Sequence, residues 1–270
     1  MNSLGRVFKT VGTKDLNIRR NLMIKFKTSA TVLAATLSAV GFASMAQAAP
    51  VYQVGSNMAF APFEFIENGK PAGFDMELIV AIMKTQGAEV KLNNLPFDGL
   101  IPALQAGSID IAMSGMTITE ERKKRIYFSE PYYNNGLVVM IRKDQNNKFQ
   151  KIDDIKGAKL CAQIGTTGAI TAKQLSGKNI KLFNNGAEAF LELNNKGCDA
   201  VIHDKPVVEY YIAQRGSKNF VVLPGQLNSE QTGIAIAKGN DKLLKMVNDG
   251  LAKVKANGEY DRLYKKWFGQ

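Results

Sequence analysis

Beyond Ala49 the chain alternates between short apolar runs and stretches of helical period, and few folds satisfy that alternation. Strand-like runs separated by amphipathic helices build βαβ units, in which parallel strands share a sheet and the crossover helices cover its faces. VYQVGS (51–56) reads as a strand, DMELIVAIMKTQG (75–87) as a helix with an acidic first turn, and EVKLNNLPF (89–97) as a second strand. DGLIPALQAG (98–107) follows as a helix with Asp98 as N-cap, Pro102 in the first turn and Gly107 at the stop, and SIDIAMSG (108–115) as a third strand. The plan then recurs: AKLCAQIG (158–165) as strand, TGAITAKQLSG (167–177) as helix, IKLFNN (180–185) as strand, EAFLELNNKG (188–197) as helix and CDAVIHD (198–204) as strand. Two similar α/β lobes are the expectation. The end of the chain is helical, with Leu243, Met246, Val247, Leu251 and Val254 on its apolar face.

Open parallel sheets bind ligands beyond the carboxyl ends of their strands, so the residues just after each strand carry the functional signal. After the first three strands these are NMAFAPFEF (57–65), Phe97, and Ser114 to Thr119; in the second half they are GTTG (165–168) and His203 with Asp204. Thr119 reads as a helix N-cap, which places Arg122 on the first turn beside a strand end. A planar guanidinium holds a carboxylate through two parallel hydrogen bonds, and Thr117 adds a hydroxyl and a backbone donor. Lys123, Lys124 and Arg125 read as a solvated face. GTTG is either an anion-binding corner of free backbone N–H groups or a plain helix cap, and it lacks the pattern of a phosphate loop. Asp204 is either an ammonium site or the N-cap of the segment holding Pro206. Phe60 and Phe97 are either aromatic walls of a site or core residues. Taken together, an anion clamp, an acidic group and aromatic walls describe a site for an α-amino acid.

Charge and cysteine usage narrow the class further. MIKFK (23–27) and the apolar TSATVLAATLSAVGFASMAQA (28–48) have the form of a secretory signal with cleavage before Ala49, and Met23 is the expected start. The apolar part is too alanine-rich and too short for a membrane span, and no cysteine adjoins the cleavage site for lipid attachment. A soluble exported protein is expected. The first 48 residues hold seven of the 35 Lys+Arg and one of the 24 Asp+Glu, which leaves 28 against 23, a net charge of about +5. With its lysines scattered among acidic residues, the mature chain lacks the concentrated basic face of a nucleic-acid binder. Cys161 and Cys198 are a disulfide or two buried thiols, and export favours the bridge; neither they nor any other group forms a metal set.

GSNMAFAPFEF, GFDMELIVAI, FDGLIPALQAGSIDIAMSGMTITEERKKRIYFSEPYY, QIGTTG, DAVIHD and TGIAIAKGN with NGEYDRLYKKWFG together resemble the periplasmic polar amino-acid-binding proteins of ABC importers, the glutamine-binding branch above all. The resemblance spans 49–270 and implies the two-lobe type II periplasmic-binding-protein fold. Lobe 1 would comprise 49–132 and 233–270, lobe 2 would comprise 137–227, and the crossovers 133–136 and 228–232 would form the hinge. It implies a monomer without cofactor or catalytic residues, which takes a polar L-amino acid and delivers it to an inner-membrane permease. It further implies that Arg122, Thr117 and the Thr167 backbone hold the ligand carboxylate. Asp204 and the Gly115 carbonyl would hold the ammonium, Phe60 and Phe97 would sandwich the ligand, and Cys161 would pair with Cys198. Where glutamine-binding relatives carry an aspartate and a lysine in the side-chain pocket, this sequence has Asn57 and Gln163. Amides both donate and accept, which suits glutamine or another neutral polar side chain first and arginine or lysine second, with Glu230 near the second crossover as a possible carboxylate. The enzyme alternative on this fold is a cyclohexadienyl- or arogenate-type dehydratase, for which His203 is the candidate acid.

Overall fold

A computed structural model describes residues 48–216 and 218–269; the expected export signal lies, but for Ala48, outside them. The chain begins with β1 (Val51–Ser56), a small antiparallel trio of β2 (Ala59–Phe60), β3 (Glu64–Glu67) and β4 (Lys70–Ala72), then α1 (Phe74–Lys84) and β5 (Glu89–Asn94). A 3₁₀ turn (Phe97–Gly99) leads into α2 (Leu100–Gln105), β6 (Ile111–Ala112), the short α3 (Glu120–Lys123) and β7 (Ile126–Phe128). The chain then passes through β8 (Tyr133–Asn135) into β9 (Leu137–Arg142), β10 (Leu160–Gln163), α4 (Thr167–Ser176), β11 (Ile180–Phe183), α5 (Gly186–Asn194), β12 (Ala200–Asp204), α6 (Lys205–Tyr211) and β13 (Phe220–Val222). It returns through β14 (Glu230–Thr232) to β15 (Ala235–Ala237), α7 (Asp241–Ala256) and α8 (Glu259–Phe268).

The two five-stranded sheets have the same plan. The first runs β5-β1-β6-β15-β7 and the second β11-β10-β12-β9-β13; in each, the first three strands are mutually parallel, the fourth runs against them, and the fifth pairs antiparallel with the fourth. In both sheets the fourth strand, β15 or β9, is the one the chain enters straight after a crossing. The crossings pair with each other as the antiparallel ribbon β8–β14, with Tyr133 opposite Thr232 and Asn135 opposite Glu230. The result is two α/β lobes, as the sequence repeat predicts.

Periodicity fixes how the helices pack. The inner face of α1 buries Leu78, Ile79, Ile82 and Met83 against α7, which returns Leu243, Val247, Leu251 and Val254, with Met246 half-buried at the margin. Each such side chain stabilises by about 1.5–3 kcal/mol on burial, which holds the C-terminal helices onto the first sheet. Two local expectations change. Asp98 does not cap a helix: Pro96, at φ −58°, starts a 3₁₀ turn in which Asp98 is the middle residue, and α2 begins at Leu100 without a side-chain cap. The third strand is only Ile111–Ala112, because the backbone turns away through Ser114 to Gly115, at φ 54°, and so leaves the sheet toward the cleft. No helix among the described residues is long and apolar enough to cross a membrane.

Candidate functional site

The carboxyl ends of β1, β5 and β6 in one lobe and of β10 and β12 in the other converge, and the residues expected from the sequence lie there in three groups. The first surrounds Arg122. Thr119 accepts a hydrogen bond from the Arg122 backbone N–H at 3.2 Å and so caps α3. The guanidinium donates to the Thr117 carbonyl at 2.7 Å and, from the opposite lobe, to the Gly165 carbonyl at 3.0 Å, while the Phe97 ring lies 5.4 Å from it. Two of its five donors are thus fixed, and the fork is held in place for a further acceptor. Burial pulls the Arg122 pKa down, and the Glu230 and Asp204 carboxylates oppose that shift. Gly165, at φ 77°, allows the close approach of the lobes: a Cβ there would lie 3.0 Å from the Asp98 Cβ. Thr166 caps α4 by accepting from the Ala169 N–H at 3.1 Å, and Thr167 is the first residue of that helix.

The second group is a pair of amides. Gln163 Nε2 donates to Asn57 Oδ1 at 3.1 Å and to the Asn184 carbonyl at 3.1 Å, and Asn57 Nδ2 donates to the Leu95 carbonyl at 3.2 Å. The named donations of both side chains therefore end on protein acceptors. The third group is acidic and aromatic. Asp204 begins α6 without capping it by its side chain; its Oδ1 accepts from Asn135 Nδ2 in the ribbon. Phe60 packs over Gly115, whose substitution by any larger residue would place a Cβ 2.7 Å from the ring. Phe60 also faces His203 at 5.3 Å between ring centres. Of the two expected aromatic walls, Phe60 covers Gly115 and Phe97 lies against the Arg122 guanidinium.

His203 is packed rather than poised. It is 3 % exposed, its ring sits between Phe60 and Phe190 at 5.3 and 5.2 Å, its Nδ1 accepts from the Asp204 backbone N–H at 2.8 Å, and its Nε2 abuts Gly186. A proton donor for ligand chemistry needs an N–H directed at the ligand, whereas the Nε2 of this imidazole is buried without a hydrogen-bond partner against Gly186. The disulfide expectation holds: Cys161 in β10 is bonded to Cys198, just before the neighbouring parallel strand β12.

Sequence reasoning missed the support behind the site. Glu64 and Asp75 are both fully buried and near enough for the Asp75 charge to act on Glu64. Ser114 Oγ donates to Glu64 at 2.8 Å and accepts from the Asn57 N–H at 3.0 Å, while Asp75 accepts from the Gly115 N–H at 2.9 Å and from the Tyr132 hydroxyl at 2.6 Å. Burial first, and the Asp75 charge second, hold the Glu64 carboxyl well above the ordinary carboxylate range; burial also lifts Asp75 to about 6, against the hydrogen bonds from Tyr132 and Gly115. The signal was present in FEF (63–65), where a glutamate alternates with aromatics, but its partner on α1 is set by tertiary contact.

The family of bacterial extracellular solute-binding proteins, family 3, matches residues 52–270. The chain belongs to that family. Among curated relatives of this family 3 protein, the probable histidine-binding protein of Neisseria gonorrhoeae is 38 % identical over 250 residues, covering 88 % of this chain and 92 % of the relative. The ABC transporter arginine-binding protein 1 of Escherichia coli K12 is 35 % identical over 245 residues, covering 88 % and 98 %. Solved structures of an ancestral arginine-binding protein bound to arginine and of one bound to glutamine superpose with TM-scores of 0.77. They are 40 % and 41 % identical, each covering 82 % of this chain, and 99 % and 98 % of the solved chain. The family 3 protein therefore has the type II periplasmic-binding-protein fold.

Proposed function

We propose that this protein is the periplasmic substrate-binding component of an amino-acid ABC transporter, a monomer that binds a polar L-amino acid without turnover and presents it to a membrane permease. The observation that carries the reading is the meeting of opposite charges from opposite lobes: Arg122 of the first lies within electrostatic reach of Asp204 of the second. An α-amino acid has a carboxylate and an ammonium on one carbon, and it bridges such a pair. Arg122, Thr117 and the Thr167 N–H take the carboxylate, Asp204 and the Gly115 carbonyl take the ammonium, and Phe60 and Phe97 wall the site. Lobe bounds of 49–132 with 233–270, and 137–227, are supported by sheet membership, with 133–136 and 228–232 as the hinge. Closure is favoured because each lobe supplies contacts made only in the closed form.

For the side chain, Asn57 and Gln163 support a change of order. With Gln163 donating to Asn57 Oδ1 and the Asn184 carbonyl and Asn57 donating to the Leu95 carbonyl, the pair offers the Gln163 oxygen and the second lone pair of Asn57 Oδ1, and these suit a ligand that donates. Arginine or lysine comes first and glutamine second, in keeping with relatives whose names carry arginine and histidine. A thermal-shift panel of the twenty L-amino acids on the mature protein tests both levels. One or a few should raise the midpoint, arginine more than glutamine at equal concentration, with agmatine, which lacks the carboxylate, inert. No shift from any of the twenty would overturn the function, and a larger shift from glutamine would overturn only the order.

A further inference from the structure

Glu230 belongs to neither sheet, yet it is hydrogen-bonded to both lobes. It lies in β14, opposite Asn135 in the crossover ribbon, and is 8 % exposed. One carboxylate oxygen accepts the Thr117 hydroxyl at 2.7 Å and the Thr167 hydroxyl at 3.0 Å; the other accepts from Asn228 Nδ2 at 2.8 Å. Thr117 follows β6 of the first lobe, and its backbone bridges to Thr232 of the ribbon; Thr167 opens α4 of the second lobe. A rotation that parts the lobes about this ribbon leaves Thr117 beside Glu230 and carries Thr167 away.

We propose that Glu230 is a positioning residue for ligand capture: a hinge-borne acceptor that locks the two threonines of the anion corner together and contributes closing free energy to every ligand alike. Both threonine hydroxyls are engaged by Glu230, so what the two residues contribute to the ligand carboxylate falls to their backbone N–H groups. A contact made only in the closed form raises the closed fraction by a fixed factor, and the apparent affinity of any ligand that needs closure scales with that fraction. Glu230 therefore sets how tightly the protein binds and not which amino acid it prefers. The inference rests on the closing amino-acid site proposed above.

The test is calorimetry and stopped-flow dissociation with arginine, lysine, histidine and glutamine on the mature wild type, Glu230→Ala, Glu230→Gln, Thr167→Val and the Glu230→Ala/Thr167→Val pair. Loss of charge-assisted hydrogen bonds predicts affinities about 10- to 100-fold weaker in Glu230→Ala, by one factor for all four ligands, with faster dissociation. Glu230→Gln keeps an acceptor oxygen and should lose less. Thr167→Val should weaken binding in the wild-type background and add nothing in Glu230→Ala, since the Thr167–Glu230 bond is already absent there. Unchanged affinity, a reordered ligand series, or additive losses would each overturn the proposal. Should Glu230→Ala fold poorly, Thr167→Val and Glu230→Gln carry the same cycle. Small-angle scattering separates the two readings: wild type that binds without contracting refutes the closing site itself, whereas contraction with an indifferent Glu230→Ala refutes only the lock.

Discussion

Arg122 shows how one side chain can be both structural and available. Its contacts to Thr117 and Gly165 fix the plane of the guanidinium, and the Phe97 face keeps water from one side. A lysine keeps the charge but not the fork or the stacking, so Arg122→Lys should weaken ligand binding by about 2–3 kcal/mol, roughly 30- to 150-fold, with little change in fold. Titration calorimetry on both proteins measures it, and a loss below threefold would remove Arg122 from the site. The Glu64–Asp75 pair makes a second prediction. A carboxyl whose folded pKa is raised binds its proton more tightly when folded, so its stabilising contribution is complete below the usual glutamate range and is lost as pH climbs through the raised value. Glu64→Gln keeps an acceptor for Ser114 but cannot ionise. Its melting temperature should gain on that of the wild type steadily from pH 5 to pH 8; parallel curves would refute the raised carboxyl pKa.

At the scale of elements, the bond between Cys161 and Cys198 ties the middle strand of the second lobe's parallel trio to the turn before its neighbour, across a sequence separation of 37. Chain entropy for a loop of that length predicts a loss of about 3–4 kcal/mol on Cys161→Ala/Cys198→Ala. Urea midpoints with and without reductant check it, and wild type that is indifferent to reductant would contradict it. Elements such as these were largely legible, because period and capping are local: Thr119, the strands around Cys161 and the apolar face of α7 stand where the sequence places them. What was not legible depends on distance along the chain. The bond of Thr117 to Glu230 spans 113 residues, and nothing near Glu230 marks its carboxylate as buried. Asp98 was misplaced for a nearer reason, since Pro96 imposes a tight turn before the helix can start. The partner of Phe97 was not legible either, because an aromatic beside a strand end has several partners within reach, and here one of them is Arg122.

Across the whole molecule, the lobes also meet away from the cleft. Trp267 of α8, the chain's one tryptophan, lies 5.7 Å from the Phe65 ring, which is 6.4 Å from Tyr210 of α6 in the other lobe. With Tyr210 and Tyr133 it lines a groove of 520 Å³ over the crossovers. A change in the angle between lobes alters this seam, so saturating arginine should shift the tryptophan emission and shrink the radius of gyration together. Binding seen by calorimetry with both signals flat would refute a closing movement.

The exchange of fourth strands has a consequence for how the protein is made. The second sheet is continuous in sequence, whereas the first needs β15 and α7 from the end of the chain. Any machinery that releases the chain from its N-terminus onward frees a complete second sheet while β6 still lacks one neighbour and the inner face of α1 lies bare. The half-built lobe must wait, exposed, through the emergence of about a hundred residues, and this makes it the part of the molecule that a holding chaperone has most reason to cover.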